Sequence, residues 1–162
     1  MGRYLNPGME SFEKSVNSEI YVDKTGLVGY TNRVMNTVQG YVCVSRPRRF
    51  GKSMAANMLT AYYSRGCDSR ELFAGLEIAE DKNFTRYLNK YDTIFLNVQE
   101  FLSRSANVQE LLTRIKHRQN MLLYLLKKHL TSHKRTASKK PSCLFHNKLF
   151  VLENSVRNSM NK

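Results

Sequence analysis

One stretch of thirteen residues constrains this chain more than any other. Tyr41-Val42-Cys43-Val44-Ser45 is short, β-branched and uncharged, and reads as a buried strand. Charge sets in abruptly at Arg46, and Arg46-Pro47-Arg48-Arg49-Phe50 carries the chain through a turn into Gly51-Lys52-Ser53. A helical pattern follows at once, with Met54, Ala55, Met58, Leu59 and Tyr62 at spacings of three and four, and Gly66 as a stop. A strand, a glycine turn, lysine, serine and a helix, with no gap between them, form the context of a phosphate-binding loop.

Each residue type in that turn has a physical task. A glycine permits a backbone shape and a close approach that a side chain would block, so the N–H groups of Gly51, Lys52 and Ser53 can turn toward one anion. The helix starting there adds unpaired first-turn amides and the positive end of its dipole. Lys52 would reach the β- and γ-phosphates of ATP as a point charge, and the Ser53 hydroxyl would serve Mg²⁺. Two departures weigh against this. The first glycine of the usual spacing falls at position 46, where this chain has Arg46, and Pro47 lacks one N–H donor. As an isolated motif FGKS is equally a loop and helix cap with a surface lysine. Arg46, Arg48 and Arg49 contact phosphates, bind nucleic acid or face water, and Phe50 is expected to pack under the loop.

Around this motif the chain divides by charge. Residues 1–111 hold 14 Lys/Arg and 12 Asp/Glu, a net of +2, whereas residues 112–162 hold 12 Lys/Arg against Glu153 alone, a net of +11. The expected organisation is therefore a domain over residues 1–130 and a basic, disordered or weakly ordered tail over 131–162, with isolated apolar patches at 143–145 and 149–152 that form a short strand or a short helix. A tail of that charge gives salt-dependent, non-specific attraction to nucleic acid, or is merely a soluble cationic extension. The N-terminal residues do not resemble a secretory signal, and the longest strongly apolar run, Met121 to Leu126, is far shorter than the ~20 residues of a membrane span. Cys43, Cys67 and Cys143 form neither a disulfide framework nor a zinc knuckle, and Cys43 reads as a buried small hydrophobe. Together these features favour a reducing cytoplasm and no membrane.

Three further elements are expected. Asp23 and Thr25 are competent caps for a helix running to about Asn36; Tyr91 to Val98 is a second buried strand; Leu102 to Leu130 is one long amphipathic helix. Leu72 to Ile78 reads as a short helix leading into a loop or extended piece, and Phe12 as a lone aromatic in a polar stretch.

Tyr21-Val22-Asp23-Lys24-Thr25, then Ser45-Arg46-Pro47-Arg48-Arg49-Phe50-Gly51-Lys52-Ser53, then Glu71-Leu72-Phe73-Ala74-Gly75-Leu76 resemble the N-terminal domain of the bacterial AAA-ATPase-like family, over roughly residues 6–118. These are P-loop proteins often joined to a restriction-nuclease-like domain. In that family arginine and proline typically stand where other P-loops have the first glycine, so Arg46-Pro47 becomes an expected variant. The resemblance implies an α/β fold, an incomplete P-loop NTPase-like domain with a parallel sheet core and flanking helices. It implies nucleotide binding through Gly51, Lys52 and Ser53, with Arg46, Arg48 and Arg49 as flanking contacts and ATP and Mg²⁺ as cofactors. Asp23 and Lys24 cap the first helix or form an ion pair near the loop, without a catalytic role. The family also implies a strand ending in acids of the type LIDEYD, which hold Mg²⁺ through water. No such segment follows the long helix; Glu153 reads as solvated. The expectation is thus a truncated parent with altered sequence from about Arg118, weak or absent hydrolysis, and a protein partner completing the sheet.

Overall fold

The computed structural model describes residues 4–45, 47, 49–133 and 148–153, and side chains as far as residue 125. Seven α-helices are described: α1 Glu10–Val16, α2 Gly26–Val34, α3 Lys52–Tyr63, α4 Arg70–Ala74, α5 Phe84–Tyr87, α6 Val98–Leu102 and α7 Val108–His133. A 3-10 turn, Glu77–Glu80, lies between α4 and α5. The strands are β1 Asp92–Asn97 and β2 Lys148–Glu153, paired parallel from Asp92 opposite Lys148 to Asn97 opposite Glu153. Residues 4–6 bond to β1 as well: the Phe95 amide donates to the Tyr4 carbonyl at 2.9 Å and the Asn6 amide to the Thr93 carbonyl at 2.8 Å.

Helix α3 organises the domain. Its C-terminal half buries Met58, Ala61, Tyr62 and Tyr63 completely, alongside Phe12 of α1, Val28 of α2 and Phe73 of α4. Tyr62 packs edge-on to Tyr63 and Phe73, with ring centroids at 4.9 and 5.4 Å. Buried phenols need partners. The Tyr62 hydroxyl donates to the Phe84 carbonyl at 2.6 Å, and that of Tyr63 donates to Asn32 Oδ1 at 2.6 Å. Burial pushes the Tyr62 phenol up to about 12 and the Tyr63 phenol higher still, so both are neutral donors throughout the physiological range.

The helix ends one residue short of Ser64, because the chain behind it supplies substitutes for its missing bonds. Asn89 stands at φ +54, which asparagine tolerates better than most residues. Its side-chain amide donates to the carbonyls of Ala61, Tyr62 and Ser64, and its backbone amide bonds Tyr62 again at 2.8 Å. Ser69 Oγ adds a bond to the Ala61 carbonyl at 2.8 Å. This is a C-terminal cap delivered from 25 residues downstream.

Several expectations are revised. Residues 41–45 form no strand; Tyr41 is 99% exposed and Cys43 is exposed. An extended segment must pair its amides and carbonyls, and no described strand lies beside this one, since β1 is bonded by β2 and by residues 4–6. The parallel pairing that is described joins two strands and does not include the one expected ahead of the loop. Phe12 is the centre of α1, stacked on Phe73 at 5.1 Å. The long helix is broken at residues 103–107, where Asn107 Oδ1 accepts the Glu110 amide at 2.8 Å and starts α7 afresh. The apolar patch at 149–152, open between a short strand and a short helix, lies in β2 Lys148–Glu153, and α7 continues to His133. The patch at 143–145 lies outside the described residues.

Asn89→Ala removes the side-chain amide shared among the carbonyls of Ala61, Tyr62 and Ser64 and leaves α3's last carbonyls short of partners. The expected cost is about 2 kcal/mol, read as a lower thermal midpoint with little change in far-ultraviolet circular dichroism at 20–25 °C.

Candidate functional site

The turn ahead of α3 is built from two residues in the left-handed region. Arg49 has φ +67 and Gly51 has φ +76, ψ +27, directly before the first helical residue. Glycine adopts this conformation without strain, whereas Arg49 does so at a cost of about 1 kcal/mol or more. The Ala55 amide donates to the Gly51 carbonyl at 2.9 Å, which begins the helical ladder at Gly51. The first-turn amides of α3 therefore lie on the loop side of the helix, as the N-terminal end of any helix dictates.

Lys52 folds back over this turn, and its ammonium donates to the Pro47 carbonyl at 3.0 Å. A ring is thereby closed from residue 47 to residue 52. Ser53 lies exposed in the first turn of α3. Of the six residues named from the sequence, the structure thus brings Arg49, Gly51, Lys52 and Ser53 into one loop and helix start. Arg46 and Arg48 lie outside the described residues. Phe50 does not pack under the loop; it is 62% exposed.

Sequence reasoning left the segment 23–25 as a cap or an ion pair, and the structure gives it a different task. Asp23 Oδ1 accepts the Thr25 amide at 2.8 Å, and Oδ2 accepts the Glu77 amide at 2.8 Å. Thr25, fully buried, accepts the Ile78 amide on Oγ1 at 3.1 Å. Two side chains separated by one residue thus bind the first two amides of the 3-10 turn, joining the YVDKT segment to the end of ELFAGL. Between them Lys24 points at the loop: its ammonium donates to the Phe50 carbonyl at 3.3 Å. A Cβ on Gly51 would sit 2.8 Å from Lys24 Nζ, the far end of a flexible side chain that can swing aside, so it is the φ of +76 that calls for glycine there. The signal for Lys24 was present in the sequence as a lysine inside a recurring motif, but only the fold places it against residues 50–51.

Beside the loop lies a hollow of about 450 Å³, lined by Lys14, Ser15, Ser18, Tyr21, Lys24 and Met54 among others. It reaches the loop through Lys24 and Met54, the two side chains nearest a Gly51 Cβ. Asp92 and Glu100, the acids at the start of β1 and just beyond its end, are engaged elsewhere. Asp92 bonds Asn6 and pairs with Arg65, while Glu100 accepts from the Tyr4 hydroxyl and pairs with Arg104. Among the described residues no group of three or more His, Cys, Asp and Glu side chains has a metal-binding arrangement. No described helix is long and apolar enough to cross a membrane.

With this geometry in place, comparison with family models gives a match to the AAA-ATPase-like family, described as a predicted AAA-ATPase, over residues 6–159. The chain belongs to that family. The AAA-ATPase-like match extends past residue 118, through the basic segment and β2, so the family pattern includes sequence that composition alone had set apart as a tail. No curated protein and no solved structure matches the chain.

The Asp23 clamp carries a pH signature. Burial by itself would raise this carboxyl, but the amides of Glu77, Thr25 and Lys24 and the Thr25 hydroxyl outweigh it and hold the group below the ordinary carboxylate range. A folded-state value below the unfolded one, about 3.9, contributes stability that is present above that pH and is lost as pH falls through the folded value. Asp23→Asn is therefore expected to lower the thermal midpoint at pH 7 and to flatten its fall between roughly pH 5 and 3, measured by melting at a series of pH values. Parallel curves for the two proteins would contradict the clamp.

Proposed function

We propose that this AAA-ATPase-like chain binds the phosphates of a nucleotide, ATP with Mg²⁺, in the turn between residue 47 and the first turn of α3. The observation that carries the reading is the conjunction of Gly51 in the left-handed region, α3 starting immediately after it, and Lys52 arched over the turn onto the Pro47 carbonyl. A phosphate oxygen placed inside that arch is a stronger acceptor for an ammonium than a neutral carbonyl, so nucleotide entry exchanges one partner of Lys52 for a better one. Gly51, Lys52 and Ser53 supply amides, Lys52 the charge, and Ser53 the hydroxyl for Mg²⁺. Arg46, Arg48 and Arg49 are the flanking cations of the same turn, and family membership supports this use of an Arg-Pro loop. The cofactors would supply the phosphoryl chemistry and its charge neutralisation.

Hydrolysis is proposed to be weak or absent. Phosphoryl transfer relies on acids that support the metal and on groups that orient the attacking water. Here β1 ends in Asn97 and β2 in Glu153, opposite each other in register, with no aspartate beside the glutamate. A site of this kind holds nucleotide in the ground state without the contacts that favour the transition state.

The uncovered run Tyr41–Val44 supports a second element of the reading, a partner strand that pairs with it and completes a parallel sheet ahead of the loop. The net +11 of residues 112–162 supports non-specific contact with nucleic acid as an alternative role, distinguished by a steep salt dependence of binding.

Lys52→Ala is the direct test. Loss of one charge-assisted contact should weaken Mg·ATP binding by roughly tenfold to a hundredfold in a calorimetric titration, while the thermal midpoint stays within a few degrees of wild type. Unchanged affinity in a folded variant would remove the phosphate-loop assignment.

A further inference from the structure

We infer that Lys24 is a second phosphate-binding cation of the loop, facing Lys52 across residues 50–51; this rests on the phosphate-loop reading above and names a residue which that reading does not include. Three observations place it. The backbone on both sides of Lys24 is fixed, through Asp23 to the Glu77 amide and through buried Thr25 to the Ile78 amide. Its ammonium is already at the loop, 3.3 Å from the Phe50 carbonyl and against the face of Gly51 that a side chain would fill. It also forms part of the wall of the adjoining hollow, together with Lys14 and Met54.

The charge on Lys24 is available. Among the described residues no carboxylate is paired with it, and its ammonium donates to a neutral carbonyl. The two lysines therefore do the same thing to the two halves of the turn: Lys52 holds the Pro47 carbonyl and Lys24 holds the Phe50 carbonyl. Two ammonium groups spent on carbonyl dipoles are poised to exchange them for anionic oxygens, which form shorter and stronger bonds. The ligand class is a polyphosphate, with its chain lying between Lys24 and Lys52 and the remainder of the nucleotide directed to the hollow. Asp23, one residue away, is already committed to two backbone amides and does not compete for the ammonium.

The experiment compares wild type, Lys24→Gln, Lys24→Arg and Lys52→Ala as full chains, titrated with Mg·ATP, inorganic tripolyphosphate and adenosine. Lys24→Gln is expected to weaken Mg·ATP and tripolyphosphate about tenfold or more and to leave adenosine unchanged. Lys24→Arg, which keeps the charge, should stay within about threefold of wild type. A parallel measurement needs no variant: reductive methylation of wild type should label Lys24 in the free protein, and tripolyphosphate should protect it. If Lys52→Ala weakens binding and Lys24→Gln does not, or if Lys24 is labelled equally with and without tripolyphosphate, the Lys24 inference fails and the loop stands. Equal loss for adenosine and tripolyphosphate in Lys24→Gln would make Lys24 a structural pin and also overturn it. If wild type binds no polyphosphate, or Lys52→Ala changes nothing, the loop reading falls and Lys24 falls with it.

Discussion

The fold depends on one helix being anchored at its C-terminal end. Helix α3 is anchored by two buried tyrosines whose hydroxyls are held by the Phe84 carbonyl and Asn32, and by Asn89, which caps its last carbonyls from a distant segment. At its N-terminus Gly51, Lys52 and an exposed Ser53 begin the helix. A rigid post with a solvent-facing first turn is what a small anion site requires, because the amides must already point at the ligand before it arrives.

A second constraint ties the front of the chain to that first turn. Asp23 and Thr25 bind consecutive amides at the start of the 3-10 turn, and the ammonium of Lys24 between them reaches the Phe50 carbonyl. YVDKT, FGKS and ELFAGL are therefore one structural unit. Separated by up to 54 positions in the sequence, they meet within a few ångströms. Altering the clamp would shift the backbone that carries Lys24, and any residue but glycine at 51 would be strained at φ +76.

Much of this was legible from residue pattern, and the failures have identifiable causes. The helix after the loop and the strand from Asp92 to Asn97 follow directly from apolar spacing, because each buries one face within a described core. The strand expected at residues 41–45 has the right composition, but a strand exists only where something pairs with it, and composition does not report the neighbour. Phe12 looked isolated because its partners, Phe73 and Tyr21, come from other segments. The break at 103–107 was signalled by Asn107 and Glu110 but masked by the leucine stripe that resumes after it. In the loop, Gly51, Lys52 and Ser53 were named from the motif alone, whereas the contact of Lys24 with the Phe50 carbonyl depends on hydrogen bonds from its neighbours to amides more than 50 positions away, which no local pattern reports. In the basic segment charge pointed to a weakly ordered tail with apolar patches open to a short strand or helix; β2 lies on the second patch, and the family match runs through the segment.

The account turns on whether the amides at 51–53 receive an anion. The most direct measurement is a proton–nitrogen correlation spectrum of the full chain titrated with Mg·ATP. The expected result is that the Gly51, Lys52 and Ser53 amides shift together, saturably and with one dissociation constant, while the core amides of Met58 and Ala61 stay in place. Shifts confined to residues 112–162, graded with salt and absent at the loop, would contradict it and leave only the attraction of a cationic segment for a polyanion.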